Sequence, residues 1–161
     1  MRYFPGFAAA VLFLAFQTVA AHAADFSGKA QVLDGNTLKF GDTEVALWSL
    51  NAPLSDEQCF STKGKPFPCG KTAHRTLDML IQNRPIECDV QGGAKDKMNR
   101  PLVVCFMQGM DINEQMALTG WAVVLPDEDD RYARSQYAAK KTRSGMWRSL
   151  RFKPEDIKGR K

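Results

Sequence analysis

Residues 28–53 read GKAQVLDGNTLKFGDTEVALWSLNAP, and this stretch decides the class of the fold. Asp34-Gly35-Asn36 is a turn signal between two short runs, Gly28 to Leu33 and Thr37 to Phe40. Gly41-Asp42 turns the chain again into Glu44 to Leu50, where Val45, Leu47 and Ser49 alternate with outward positions. Asn51-Ala52-Pro53 stops that run. The domain therefore opens with a meander of three strands.

Toward the C-terminus, a loop holding Gly64, Pro66 and Pro68 leads into Gly70 to Gln82. Here Ala73, Leu77, Leu80 and Ile81 fall on one face at helical spacing, and Asn83 and Pro85 end the helix. Ile86 to Val90 and Leu102 to Met107 read as two strands joined across Gly92 to Arg100. Asp111 with Glu114 three residues later signals the start of a short helix through Leu118, closed by Gly120. Asp129 to Thr142 reads as a polar last helix with Gly145 as its stop. Five strands, one helix after the third and two helices behind them predict an α+β domain, and a five-stranded, partly open barrel of the OB type fits that order.

Toward the N-terminus the chain reads as a processing signal. Arg2 supplies a positive start, and Phe7 to Ala20 is apolar apart from Gln17 and Thr18. Ala21-His22-Ala23 places small residues where signal peptidase reads them, so cleavage is expected between Ala23 and Ala24. The apolar run is short for a membrane span. Residues 1–23 are thus read as a signal peptide and 24–161 as one domain, periplasmic or secreted, and monomeric.

Cys59, Cys69, Cys88 and Cys105 all lie in that domain. An even count in an exported chain reads as two disulfides. Zinc is the rival, but no Cys-x-x-Cys pair occurs and His74 is the sole mature histidine. Cys88 and Cys105 sit symmetrically about the turn-rich stretch 92–99, and Cys59 and Cys69 bracket the proline-rich loop, so local pairing is the economical reading of the three connectivities.

The formal net charge is +4, with bases concentrated from Lys140 to Lys161. That balance permits a polyanionic partner and equally describes a solvated helix face.

Short segments then resemble the thermonuclease (staphylococcal nuclease-like) family. They are residues 32–38, VLDGNTL; 47–53, LWSLNAP; Cys59…Pro68-Cys69-Gly70; 96–100, DKMNR; 111–113, DIN; 120–122, GWA; and 145–147, GMW. The resemblance implies a five-stranded OB-type barrel with three α-helices, a disulfide pattern known from secreted bacterial members, and calcium-dependent hydrolysis of DNA and RNA phosphodiesters. In that chemistry carboxylates hold a hard cation against a phosphate oxygen. A glutamate handles the attacking water and two arginines stabilise the gathering charge.

Matched residue by residue, most of this equipment is missing. Asp34 stands at the first metal carboxylate, but Asn36 replaces the second. Where the family reads Arg-Leu-x-Gly-Ile-Asp-x-Pro-Glu, residues 46–54 read ALWSLNAPL. Ala46 therefore replaces the first arginine, Asn51 a metal aspartate and Leu54 the glutamate. Arg100, the second arginine, and the nearby Lys97 survive as the catalytic and binding remnants. With Asp34 the sole charged ligand left, calcium binding is expected to be weak or absent, and no cofactor is expected. Bland readings stand beside these: Asp34-Gly35-Asn36 as a turn, Lys97 and Arg100 as loop charges, and Trp48, Trp121 and Trp147 as core residues rather than base-stacking platforms.

Two functions follow from the resemblance. One is a degenerate, exported binding or accessory module for nucleic acid, another anionic polymer or a protein. Secreted relatives among rhizobial exopolysaccharide (succinoglycan) production genes bring a role in polysaccharide synthesis within reach. The other is a secreted calcium-dependent nuclease, rewired so that Asp56 or Glu57 replaces the lost glutamate beside Asp34, Lys97 and Arg100.

Overall fold

The computed structural model describes residues 23–159. The apolar N-terminal run and the residues before the expected cleavage point lie outside the described residues, except Ala23 itself. In chain order the elements are β1 (Phe26–Gly28), β2 (Gln31–Val32), β3 (Thr37–Phe40), β4 (Thr43–Leu47), β5 (Leu50–Asn51), β6 (Cys59–Phe60), β7 (Pro66–Phe67) and α1 (Cys69–Ile81). They continue with β8 (Ile86–Lys95), β9 (Pro101–Met107), β10 (Met110–Asp111), α2 (Ile112–Leu118), β11 (Val123–Val124) and α3 (Ala133–Thr142). Single 3₁₀ turns follow at Gly145–Arg148 and Pro154–Asp156.

The meander forms as the turn signals predict: β2 pairs with β3, and β3 with β4, all antiparallel. The main sheet runs β1-β8-β9-β4-β3-β2, with β10 added to β9. Its one parallel contact joins β4 to β9, setting Ala46 opposite Leu102 and Leu47 opposite Val103.

The α+β class, the three α-helices and the two disulfides are as expected, while the main sheet has seven strands and is not closed into a barrel. Two of the predicted strands are interrupted. The chain bends at Gly28, whose φ of 118° separates β1 from β2. Ser49 takes a φ of 59°, which ends β4 and leaves β5 to pair with β11 in a separate ribbon. The sheet still curls far enough for Phe26 of β1 to stack on Phe40 of β3, with centroids 5.7 Å apart.

Helix α1 buries Ala73, Leu77 and Ile81 against the sheet, while Leu80 is only half-buried at the edge of that stripe. It ends where Gln82 goes left-handed and its N–H reaches the Asp78 carbonyl at 2.8 Å. Asp111 caps α2, accepting from the Glu114 N–H at 2.9 Å as the sequence pattern predicts. Between these helices and the sheet, Leu38, Leu47, Leu50, Ile86, Val103, Ile112, Met116 and Met146 are fully enclosed.

Helix α3 starts later than predicted because Glu128 and Asp129 are occupied elsewhere. Glu128 Oε2 accepts from the Ser49 N–H at 2.9 Å, and Asp129 Oδ2 accepts from Trp48 Nε1 at 3.3 Å. The helix ends at Arg143, left-handed at φ 55°, rather than at Gly145. Gly145 has a different duty. A Cβ there would collide with the Gly120 carbonyl oxygen, at the point where the chain after α3 crosses the chain after α2. Gly145→Ala is therefore expected to destabilise the protein by about 2 kcal/mol or more, measured by denaturant unfolding.

Both local disulfides are present. Cys59–Cys69 ties β6 to the first turn of α1, with Cα atoms 5.5 Å apart. Cys88 and Cys105 are directly opposed on β8 and β9 and bonded across the ladder. Among the described residues no helix is long and apolar enough to cross a membrane.

Candidate functional site

The β2–β3 turn, β4, the β8–β9 turn and the C-terminal segment converge on a cavity of about 230 Å³. Asp34, Thr37, Glu44, Leu54, Arg100 and Gly159 line it. The expected remnants Asp34 and Arg100 are thus brought together, with Leu54 beside them. Lys97 is exposed at the tip of the β8–β9 turn and does not line the cavity.

Arg100 is not a free surface charge: it is 9 % exposed. Asp96, four residues earlier, holds it, with Nε and Nη2 each 2.7 Å from Asp96 Oδ2. Its Nη1 donates to Thr37 Oγ1 at 3.1 Å. Thr37 lies opposite Ala46 in the β3–β4 ladder. Asp96 also fastens the turn, accepting from the Met98 and Arg100 N–H groups at 2.9 Å each.

Burial alone would raise the Asp96 pKa, but the Arg100 bonds and charge together with the Met98 N–H outweigh it and hold the carboxyl below its ordinary value. A depressed folded pKa contributes stability that is present above the unfolded value and lost as pH falls through the folded one. Asp96→Asn should therefore cost about 3 kcal/mol at neutral pH. The variant and parent should converge in urea unfolding as pH drops below about 4.

Asn36 and Asn51 are both buried. Asn36 Nδ2 donates to the Leu50 carbonyl at 3.0 Å, tying the turn to β5, while its own N–H is capped by Asp34 Oδ1 at 2.9 Å. An aspartate at position 36 would set a carboxylate against that carbonyl. Beside Asn51 lies the backbone of Gly159: a Cβ on Gly159 would meet Asn51 Oδ1 and the Ala52 carbonyl. Among the described residues no group of three or more His, Cys, Asp or Glu is placed to hold a metal ion.

The sequence reading missed Glu44. Two residues before Ala46 on β4, it shares that residue's face and lines the cavity, a placement the period-2 alternation encodes. Asp34 and Glu44 give the cavity a negative character that the lone, already paired Arg100 does not offset.

Asp56 and Glu57 do not line this cavity. Glu57 is engaged by backbone groups: Oε2 accepts from the Leu54 N–H and Oε1 from the Lys158 N–H, both at 3.1 Å. The tryptophans are structural. Trp121 is buried, with the Arg148 guanidinium 5.6 Å from its ring, and Lys140 Nζ lies 4.6 Å over Trp147. Asn113, given no role by the sequence, is fully buried and bonds the Cys105 N–H and the Val103 carbonyl, seating α2 against β9. Ser49 occupies the place where the family pattern has glycine, and its left-handed φ shows why glycine suits it. Its hydroxyl is hydrogen-bonded to the Asp129 carbonyl, which anchors the strained residue.

An open, curled sheet with a helix inserted between its meander and its second hairpin, and a polar cavity at the meander turn, define a nuclease-type α+β domain whose polar residues are largely spent on one another. Residues 44–149 match the staphylococcal nuclease homologue family, and the chain belongs to it. It is also similar to the succinoglycan biosynthesis protein ExoI of Rhizobium meliloti (strain 1021), 34 % identical over 126 residues. That alignment covers 76 % of this chain and 64 % of the relative, so the chain spans less than two thirds of its relative's length.

Proposed function

We propose that the protein is an exported accessory module on a nuclease scaffold, without phosphodiesterase activity, that serves the production of an extracellular polysaccharide. The observation that carries this reading is the cavity itself. Leu54 offers no group to activate water, Ala46 no second positive charge, and Arg100 is committed to Asp96 and Thr37 while Asp34 and Glu44 face the space a phosphate would need. Similarity to a succinoglycan biosynthesis protein supplies the direction. Two disulfides suit a compartment outside the cytoplasm, periplasmic or secreted.

The rewired nuclease finds less support, because Glu57 is bound to backbone N–H groups on the far side of Leu54. The test pairs two measurements on the purified protein. Retention on an immobilised exopolysaccharide, with plasmid DNA left intact in calcium, supports the reading. Calcium-dependent plasmid degradation overturns it.

A further inference from the structure

Across Leu54 from the nuclease-type cavity lies a second, separate one of about 390 Å³, between residues 54–60 and residues 151–158. Its walls are fixed before any ligand arrives. The Cys59–Cys69 bond holds one side. Ser149 Oγ donates to the Phe60 carbonyl at 2.6 Å, Leu150 N–H to Thr62 Oγ1 at 3.2 Å, and Lys158 N–H to Glu57 Oε1 at 3.1 Å. Ile157, 2 % exposed, pins the other side into the core. A preformed cavity avoids the ordering cost that weakens binding by mobile segments.

The lining chemistry is selective. Phe60 is 56 % exposed, and Phe152 stands edge-on to Trp147 at 4.9 Å, so two phenyl rings border the space. Around them Asp56, Gln58, Asp156, Arg151 and Lys158 carry side-chain polar groups with no hydrogen-bond partner among the described residues. Acceptors and donors are both present. Three carboxylates, Asp56, Glu57 and Asp156, face two cations, Arg151 and Lys158, which leaves a small negative excess. That excess disfavours a phosphate or polyanion, and the cations disfavour a metal ion. A purely apolar ligand would leave the polar groups stripped of water and unpaired.

From this we infer that the cavity is a binding site for an uncharged saccharide, seated with its C–H face on Phe60 and its hydroxyls shared between the carboxylates and the basic side chains. A sugar presents an apolar face toward the negative ring surface and hydroxyls that both donate and accept, which is the combination this lining offers. The volume falls at the lower end of small-ligand sites, about 300–1,000 Å³, which suits a short saccharide or a chain terminus. The inference deepens the accessory reading above and names its ligand class.

The experiment is a titration of the ¹⁵N-labelled protein with glucose, galactose and cellobiose, with a short oligo(dT) as counter-probe. Shifts confined to amides of residues 54–60 and 149–158, from at least one sugar and not from oligo(dT), are expected. Phe60→Ala, at an exposed position, should weaken binding at least ~10-fold with the rest of the spectrum unchanged. Asp56→Ala should weaken it several-fold. Absence of shifts with every sugar, sugar shifts that survive Phe60→Ala, or a response at these residues to oligo(dT) alone each overturn the inference. Polysaccharide retention that persists in Phe60→Ala removes this cavity while leaving the accessory reading intact. Plasmid degradation removes that reading, and the titration still decides the cavity.

Discussion

Incubated with millimolar calcium, the purified protein is expected to leave plasmid DNA and RNA intact at the level of a mock preparation. The resemblance assigns three separate roles to positions whose residues here cannot fill them: water activation at Leu54, charge stabilisation at Ala46, and cation capture at Asn36 and Asn51. Loss of a general base alone removes about 10²–10⁴ in rate. Loss of an arginine on a phosphoryl group removes about 10³–10⁵ by analogy with arginine fingers. Residues that act as a unit are not additive, so single reversions should do little.

The fourfold change Asn36→Asp, Ala46→Arg, Asn51→Asp and Leu54→Glu should restore calcium-dependent cleavage, and Arg100→Ala should abolish it again. The structure adds two expectations. The revived variant should be less stable than its parent, because the carboxylate introduced by Asn36→Asp has no N–H to donate to the Leu50 carbonyl as Asn36 does. Its activity should rise further when residues 159–161 are removed, since Gly159 rests against Asn51. Strong nuclease activity in the unmodified protein, abolished by Asp56→Ala or Glu57→Ala, would reverse the proposal.

The second large effect concerns the disulfide across the central ladder. Cys88 and Cys105 are fully buried and directly opposed on β8 and β9, with a sequence separation of 17. A closed loop of that size restricts the unfolded chain by about 3 kcal/mol. The double change Cys88→Ser, Cys105→Ser also buries two hydroxyls in an apolar setting. A fall in Tm of about 10 °C or more is expected by calorimetry. A change within a degree or two would show that the ladder holds these strands without the bond.

Much of the scaffold was legible because its signals are local. Turn residues at 34–36 and 41–42, the capping pair Asp111 and Glu114, and the apolar stripe of α1 each act within a few residues, and each sits where the pattern places it. The strand boundaries differ from the expected ones where backbone conformation is decided by distant partners. The serine itself does not announce a left-handed residue at position 49, where only the family's glycine hints at one; the Glu128 carboxylate and the Asp129 carbonyl that hold it arrive some eighty positions later. The candidate site divides the same way. Its substitutions are visible in the sequence, whereas the pairing of Arg100 with Asp96 emerges only from the folded turn. The contact of Gly159 with Asn51, and the second cavity built against residues 151–158, depend on the chain folding back across its whole length.

The order of the disulfides has a consequence for biogenesis. If the chain is exported N-terminus first, as proposed above, Cys59 arrives before Cys69, Cys88 and Cys105, and the native bonds join the first arrival to the second and the third to the fourth. An oxidant that couples cysteines as they emerge forms both correct pairs directly. Reshuffling through mixed disulfides, the slow step for chains with interleaved connectivity, is then not required for maturation.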